Sequence, residues 1–247
     1  MPPEAGPGRI SGAAGRHGII EPVTSHLPAA VLWDMDGTLV DTEPLWIASE
    51  RALVERHGGT WTDADSLALV GSDLLAAGEY IRTRGNVTMT AAEIVDHMIG
   101  EVLEGVRQHV EWRPGVPELL AELRQAGVPC AMVTMSYRVL AQAIADRLPA
   151  GTFVTLVTGD SVTHGKPHPE PYLTGAAALG VDPAACVVIE DSATGVRSGL
   201  AAGAQVIGVP NVQALDAQPG LVVLDSLAGV GAADLLALFD ESRLDPV

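Results

Sequence analysis

Two carboxylates separated by one residue, Asp34 and Asp36, follow an apolar run at residues 29–34. Carboxylates can attack an electrophile, move a proton or hold a cation. Because ligands of open parallel sheets bind beyond the carboxyl ends of the strands, we expect this pair in a functional site. Taken alone, the pair is also compatible with an exposed turn. A calcium loop would need glycine at its sixth position, whereas Gly37 is the fourth residue here.

Polar side chains also follow three other apolar runs. Thr134 comes after the second run and Lys166 lies in the loop after the third, within GKPHPEP. The fourth run ends in Glu190 and Asp191. Thr134 alone would be interpreted as a helix cap and Lys166 alone as a surface ammonium, but together the four groups indicate one site at one sheet edge.

The runs that must position these groups are continuous rather than alternating, as expected of strands covered on both faces. Helical segments separate most of them, bounded for example by Pro117 and Gly127 and by Pro171 and Gly180. This alternation predicts an α/β fold with a doubly wound parallel sheet. The predicted strand runs are 29–34, 128–134, 153–158, 185–190, 204–209 and 221–224.

The segment between the first two runs is far longer than a normal crossover connection. It shows helical patterns at 44–57, 63–69, 73–84 and 91–109, the last opening with the capping-box pair Thr90 and Glu93. We therefore expect an inserted all-α cap domain at 44–113 and a catalytic core formed by 29–43 and 114–247. Residues 1–28, rich in Gly, Pro, Arg and His, are expected to form a flexible tail.

Composition narrows the class of partner. The chain has 31 acidic and 14 basic residues among 247, a formal charge of -17, which disfavours nucleic acid and anionic lipid as partners. No apolar stretch reaches about 18 residues, so no membrane association is expected. Cys130 and Cys186 lie within apolar runs and are interpreted as small buried hydrophobes, which fits a cytoplasmic location. We expect a monomer or a homodimer.

The segments DMDGTLVDTE, GKPHPEPY and IEDSATGV, in this order, resemble haloacid dehalogenase-superfamily hydrolases with a helical cap inserted after the first strand. Within that superfamily the chain is similar to the β-phosphoglucomutase-like phosphatases. The resemblance covers residues 29 to about 225. It implies a nucleophile at Asp34, an acid/base at Asp36, and phosphoryl binding by Thr134 and Lys166. Asp36 disfavours a dehalogenase, because attack on carbon does not require this second carboxylate.

The resemblance further implies a magnesium site formed by Asp34, the Asp36 carbonyl, Glu190 and Asp191. Physical chemistry agrees, because a carboxylate about 3.5 Å from a phosphate dianion is repelled by roughly 9 kcal/mol at an effective dielectric of 20. Oxygen ligands suit a hard cation such as Mg²⁺. The backbone amides of Met35, Asp36 and Met135 would join Thr134 in holding the phosphoryl oxygens.

The substrate expected from this resemblance is a small phosphorylated metabolite, a sugar phosphate or a phosphoglycolate-like monoester. In the mutase pattern a cap histidine couples closure to the acid/base and a cap arginine holds the second phosphate. Trp46 occupies the histidine position and no arginine follows Gly71, so a phosphatase is favoured over the mutase alternative. Arg82 and Arg84 could supply the missing charge, although solvent-facing positions are the preferred interpretation.

Several residues near these motifs keep two interpretations. Trp46, Trp61 and Tyr80 could form an apolar wall for the leaving group or could pack the cap interior. Glu43 could touch substrate or could begin a helix near its positive dipole end. His164 and His168 flank Lys166 between prolines, which favours loop shaping over proton transfer.

Two alternatives are proteins without enzymatic activity. A phospho-acceptor domain of the receiver type also combines acids, a threonine and a lysine around a phosphorylated aspartate, but it lacks a large cap and a use for the second acid. A regulatory relative without activity is the other, although every expected catalytic side chain is present in this sequence.

Overall fold

The computed structural model describes residues 27–235, 237 and 238. Within them a six-stranded sheet has the order β3-β2-β1-β4-β5-β6, and every neighbouring pair is parallel. This confirms the α/β prediction of a doubly wound parallel sheet. The predicted N-terminal tail lies outside the described residues except for 27 and 28. The strands are β1 (Ala30–Trp33), β2 (Cys130–Val133), β3 (Thr155–Val157), β4 (Cys186–Glu190), β5 (Gln205–Gly208) and β6 (Leu221–Val223).

Four helices cover the two faces of the sheet: α5 (Val116–Gln125), α6 (Arg138–Ala145), α7 (Glu170–Leu179) and α8 (Ala193–Ala201). Consecutive strand residues point to opposite faces. Leu32 and Val188 accordingly pack toward α7 and α8, whereas Val31 and Val187 join the apolar cluster that includes α5 and α6. This two-sided burial explains why the strand sequences are continuous apolar runs.

Four further helices lie between β1 and α5: α1 (Glu43–Arg56), α2 (Asp63–Leu67), α3 (Leu74–Arg84) and α4 (Ala91–Gln108). The predicted capping box is present, because Thr90 accepts from the Glu93 amide and the Glu93 carboxylate accepts from Thr90. The buried side of α4 includes Ile94 and Val102. Packing of α1 and α3 against α4 therefore buries the apolar side of α4.

The chain enters and leaves the helical segment through two strands of backbone that lie side by side. Val40 forms an isolated antiparallel bridge with Trp112, and the Arg113 amide donates to the Leu39 carbonyl at 3.0 Å. The Asp41 amide donates to the Glu111 carbonyl at 2.8 Å. These contacts hold the two linkers together beside the segment that follows β1.

Two features of composition have simple structural counterparts. Cys130 and Cys186 are both buried free thiols, as predicted. Among the described residues, no helix combines the length and the apolar composition that crossing a membrane requires.

Candidate active site

A cavity of about 90 Å³ lies between the carboxyl edge of the sheet and the inserted helices. Asp34 follows β1 directly, and its amide donates to the Ile189 carbonyl of β4 at 3.0 Å. The sequence-predicted residues that line the cavity are Asp34, Asp36, Thr134, Met135, Lys166 and Asp191. Met35 is fully buried beside them, and Glu190 lies behind Lys166 without lining the cavity.

Lys166 and Asp34 form a buried ion pair at the floor of the cavity. The Lys166 Nζ donates to Asp34 Oδ1 at 2.6 Å, to Glu190 Oε1 at 2.7 Å and to the Val133 carbonyl at 2.9 Å. Burial alone would lower the pKa of the Lys166 ammonium, but the Asp34 and Glu190 carboxylates outweigh it and raise that pKa. Lys166 therefore remains charged, with all three of its hydrogens engaged.

Glu190 is fully buried and accepts hydrogen bonds on both oxygens. Besides Lys166, Oε1 accepts from the Tyr172 hydroxyl at 2.7 Å, and Oε2 accepts from the Asp191 amide at 3.1 Å and from the Ser192 hydroxyl at 3.1 Å. A Cβ on Gly195 would overlap this carboxylate, so glycine is required there. In this geometry Glu190 orients Lys166 toward Asp34.

The Asp36 carboxylate accepts hydrogen bonds from four side chains. Oδ1 accepts from Thr42 Oγ1 at 2.6 Å and from Trp46 Nε1 at 3.3 Å. Oδ2 accepts from Thr134 Oγ1 at 3.1 Å and from Ser136 Oγ at 2.7 Å. Two of these donors come from the inserted segment and its linker, and two come from the loop after β2, so Asp36 joins both parts of the structure.

Three backbone amides beside Asp34 have no acceptor among the described residues. They belong to Met35, Asp36 and Met135. Asp36, Thr134 and Met135 line the cavity, and Met35 is buried between Asp34 and Asp36. Unpaired N–H groups next to the Thr134 hydroxyl suit an oxyanion such as a phosphoryl group.

The carboxylates of Asp34, Glu190 and Asp191 offer oxygens that lie within 4.8 Å of one another. Asp34 Oδ2 is buried without a hydrogen-bond partner. Among the described residues no backbone amide donates to the Asp36 carbonyl. Burial, together with the Asp34 and Glu190 carboxylates, raises the pKa of Asp191 well above its ordinary value. These donors are the oxygen ligands that a hard divalent cation prefers, so the residues fit Mg²⁺.

Gly37 permits the acids to approach one another so closely. Its φ is +86°, a conformation that glycine adopts without strain, and a Cβ at this position would overlap the Asp191 carboxylate. Thr38 donates to Asp191 Oδ1 at 3.3 Å. The Gly-Thr pair after Asp36 therefore places the loop after β1 against the loop after β4.

One face of α1 forms the opposite wall of the cavity. Glu43, Trp46 and Glu50 follow one another at spacings of three and four residues, which places them on the same side of a helix, and all three line the cavity. Glu50 is 4% exposed, and its Oε2 accepts from Trp61 Nε1 at 3.1 Å. Trp61 contacts Tyr80 edge to face and packs within the helical segment, whereas Trp46 lies at the cavity.

Electrostatics at this wall are unfavourable for negative charge. Burial raises the pKa of Glu43 to about 7, and the Asp36, Glu50, Asp41 and Asp34 carboxylates add to the effect. Among the described residues no hydrogen bond is formed to the Glu43 carboxylate. Burial also raises the pKa of Glu50, against the opposing hydrogen bonds from Ser66 and Trp61.

The arginines considered as cap cations lie elsewhere. Arg82 pairs with Glu79 at 2.6 Å and Arg84 pairs with Asp65 at 2.9 Å, both outside the cavity lining. His164 and His168 stack at 4.6 Å on the loop surface and do not line the cavity. The loop-shaping interpretation of these histidines fits the Glu170 carboxylate, which accepts from the His164 amide at 3.0 Å.

Sequence reasoning did not assign a role to several residues of this network. Tyr172 belongs to a quoted motif, but only the packing of α7 against the sheet reveals its hydroxyl on Glu190. The contacts of Thr42 and Ser136 with Asp36 had no distinct sequence signal beyond their proximity to the motifs.

Comparison with known proteins identifies the class. Residues 28–203 match the haloacid dehalogenase-like hydrolase family, and the chain belongs to this family. It is 39% identical over 187 residues to hexitol phosphatase A of Escherichia coli (strain K12), covering 72% of this chain and 81% of that protein. It is 36% identical over 185 residues to the N-acetylmuramic acid 6-phosphate phosphatase of Pseudomonas aeruginosa, covering 73% and 80%.

A solved structure of similar fold is the β-phosphoglucomutase of Clostridium difficile, with a TM-score of 0.77 and 19% identity over 89% of this chain and 100% of that chain. At this identity the likeness concerns the fold. The predicted family resemblance and fold class are thus confirmed. The chain is an enzyme, a phosphatase of the haloacid dehalogenase type, and the non-enzyme alternatives are set aside.

Proposed function

We propose that this enzyme is a Mg²⁺-dependent phosphatase that hydrolyses the monoester of a small phosphorylated metabolite, of the sugar phosphate or phosphoglycolate type, through an aspartyl-phosphate on Asp34. One observation carries the proposal. Asp34 lines the cavity with one oxygen held by Lys166 at 2.6 Å and the other oxygen buried without a partner. A carboxylate in this state is oriented for attack through Oδ2.

In the first half-reaction, Asp34 attacks phosphorus in line, and the bond between phosphorus and the leaving oxygen breaks. Asp36 donates its proton to that oxygen, which leaves as an alcohol. The three unpaired amides and the Thr134 hydroxyl hold the equatorial oxygens as charge develops on them.

The Thr134 hydroxyl links the phosphoryl site to Asp36. A hydroxyl has one hydrogen to donate, and without substrate this hydrogen goes to Asp36 Oδ2 at 3.1 Å. When Thr134 turns this hydrogen to a phosphoryl oxygen, Asp36 Oδ2 keeps Ser136 Oγ, at 2.7 Å, as its donor. Thr134 can therefore serve the phosphoryl group while Ser136 continues to orient Asp36.

In the second half-reaction, Asp36 accepts a proton from a water molecule that attacks the phosphorus of the aspartyl-phosphate. The bond to Asp34 breaks, and the Asp34 carboxylate is regenerated with release of inorganic phosphate. Lys166 keeps Asp34 oriented in both halves of the reaction.

Asp34, the Asp36 carbonyl, Asp191 and Glu190 would hold Mg²⁺, directly or through water. When bound, the ion supplies positive charge that offsets the repulsion between carboxylate and phosphate. The three converging carboxylates, and an Asp36 carbonyl to which no backbone amide among the described residues donates, support this assignment.

A phosphatase is favoured over the mutase alternative by Trp46. Its Nε1 donates to Asp36 Oδ1 at 3.3 Å, and an indole N–H can donate a hydrogen bond but cannot relay a proton. The sugar phosphatases among the relatives support a sugar-type substrate.

The division of the chain into a core at 29–43 and 114–247 and a cap at 44–113 is part of the same proposal. The paired linkers at Val40 and Trp112 are where the cap would move to admit substrate. We also propose a cytoplasmic location, supported by the free cysteines, and a monomer or homodimer as the acting species.

The proposal is tested by phosphate release from a panel of sugar phosphates, hexitol phosphates and phosphoglycolate, with and without Mg²⁺. Isomerisation of β-glucose 1-phosphate is followed in parallel. We expect release that requires Mg²⁺ and no isomerisation. Isomerisation would establish the mutase instead, and the absence of release from every ester would contradict the proposed function.

A further inference from the structure

The wall of the cavity opposite Asp34 carries negative charge and no positive charge. Among the described residues that line the cavity, Lys166 is the single cation, and it is engaged by Asp34, Glu190 and Val133. On the α1 face, Glu43 and Glu50 carry the only charged groups. The remaining lining residues of the inserted segment are apolar or carry hydroxyls.

Basic residues of the inserted segment are held away from this wall. Arg51 pairs with Asp63 at 2.6 Å, and Arg82 and Arg84 pair with Glu79 and Asp65. None of the three lines the cavity. A second phosphate or a carboxylate on the leaving group would therefore meet two carboxylates without a counter-ion, and juxtaposed like charges are costly.

The same two carboxylates are well placed to accept hydrogen bonds. Glu50 is only 4% exposed, and its Oε2 accepts a hydrogen bond from Trp61 Nε1 at 3.1 Å. Glu43 is partly buried and has no donor among the described residues. Carboxylates withdrawn from water require donors, and alcohol hydroxyls can supply them without adding charge.

We propose that Glu43 and Glu50 select the leaving group, accepting hydrogen bonds from the hydroxyls of an uncharged polyol or sugar and rejecting leaving groups that carry a second anion. The inference rests on the proposed phosphatase function and narrows its substrate class. It places hexitol and sugar monophosphates inside the substrate range, and sugar bisphosphates and phosphoglycolate outside it.

Two substrates of equal carbon number test this directly. Glucitol 6-phosphate ends in a hydroxyl where 6-phosphogluconate ends in a carboxylate. The measurement is kcat/KM for phosphate release from each at pH 8, above the pKa of about 7 to which burial raises Glu43, with Mg²⁺ present, by the wild-type enzyme and by the E43Q/E50Q variant. We expect the wild type to prefer glucitol 6-phosphate by at least about tenfold, the factor that corresponds to 1.4 kcal/mol.

In E43Q/E50Q the amides keep acceptor oxygens but lose the negative charges. We expect the preference to fall to within about threefold, chiefly because KM for 6-phosphogluconate decreases. The control is E55Q, which removes an exposed carboxylate of the same helix outside the cavity and should keep the wild-type preference. Should the double variant fail to fold, E43Q alone gives the same comparison at half the charge change.

The outcomes separate the two proposals. If phosphate is released equally well from both substrates, or if the preference persists in E43Q/E50Q, the selection by these carboxylates is wrong while the phosphatase function stands. If no phosphate is released from either substrate or from any other ester tried, the proposed function itself is wrong.

Discussion

The indole of Trp46 donates a hydrogen bond to Asp36 Oδ1 at 3.3 Å, so a side chain of the first inserted helix contacts the proposed acid/base. Thr42, immediately before that helix, donates to the same oxygen at 2.6 Å. The position of α1 is therefore coupled to the orientation of Asp36. Movement of the inserted segment would release or engage both donors together.

This coupling predicts the effect of W46F, which keeps the ring and removes the donor. We expect kcat to fall about three- to tenfold, because a typical hydrogen bond contributes about 0.5–1.5 kcal/mol. The measurement is steady-state phosphate release, with thermal unfolding followed in parallel. An unchanged kcat in W46F would mean that the contact does not position Asp36.

Removal of the Lys166 charge should destabilise the fold strongly. K166M leaves the Asp34 and Glu190 carboxylates buried without their common cation, and breaking a buried pair in this way costs about 3–5 kcal/mol. Denaturant unfolding of K166M, E190Q and the double variant measures the coupling. We expect the double variant to lose less stability than the sum of the two single variants. Strict additivity would show that the pair does not interact energetically.

The raised pKa of Glu43 predicts a pH-dependent contribution to the free energy of unfolding. Burial raises its pKa in the folded protein to about 7 from an ordinary 4.5. Stability from the protonated group is present below the ordinary pKa and is lost as pH rises through 7. E43Q should therefore stabilise the protein relative to wild type more at pH 8 than at pH 4.5. Equal differences at both pH values, or the same pattern in the exposed control E55Q, would contradict the assignment.

The position of Asp191 in the carboxylate cluster predicts that phosphatase activity depends on Mg²⁺. Chelation by EDTA should abolish phosphate release, and added Mg²⁺ should restore it. In D191N we expect the Mg²⁺ concentration for half-maximal activity to rise by at least about tenfold, as for loss of metal-site partners. Mg²⁺ should raise the unfolding temperature of the wild type and leave that of D191N nearly unchanged. Full activity in EDTA would exclude the proposed metal site.

Much of the fold could be predicted from the sequence, because burial on both faces leaves a simple signature. Runs such as ACVVIE became β4 with little change of bounds, and the Thr90 and Glu93 pair marked the start of α4 correctly. The same topology brought Asp34, Thr134 and Lys166 to one edge. The types of these three residues, and their positions after predicted strands, were enough to predict that they share one site.

The contacts between the parts of the structure could not be predicted in this way. Whether Glu50 faces the cavity depends on the rotation of α1, and the sequence pattern of α1 does not define one clear apolar side. The hydroxyl of Tyr172 reaches Glu190 only because α7 packs on the sheet at that point. Such side-chain contacts depend on how distant segments pack against each other, whereas sequence spacing reports only on residues of the same segment.

Asp34 is proposed to carry the phosphoryl group between the two half-reactions. Acid quenching of the enzyme during turnover of glucitol 6-phosphate with Mg²⁺, followed by mass spectrometry of its peptides, locates that group. We expect one phosphoryl group on Asp34 in the wild type, and neither adduct nor turnover in a folded D34N variant. Turnover retained by D34N, or a phosphoryl group on another residue, would rule out Asp34 as the nucleophile.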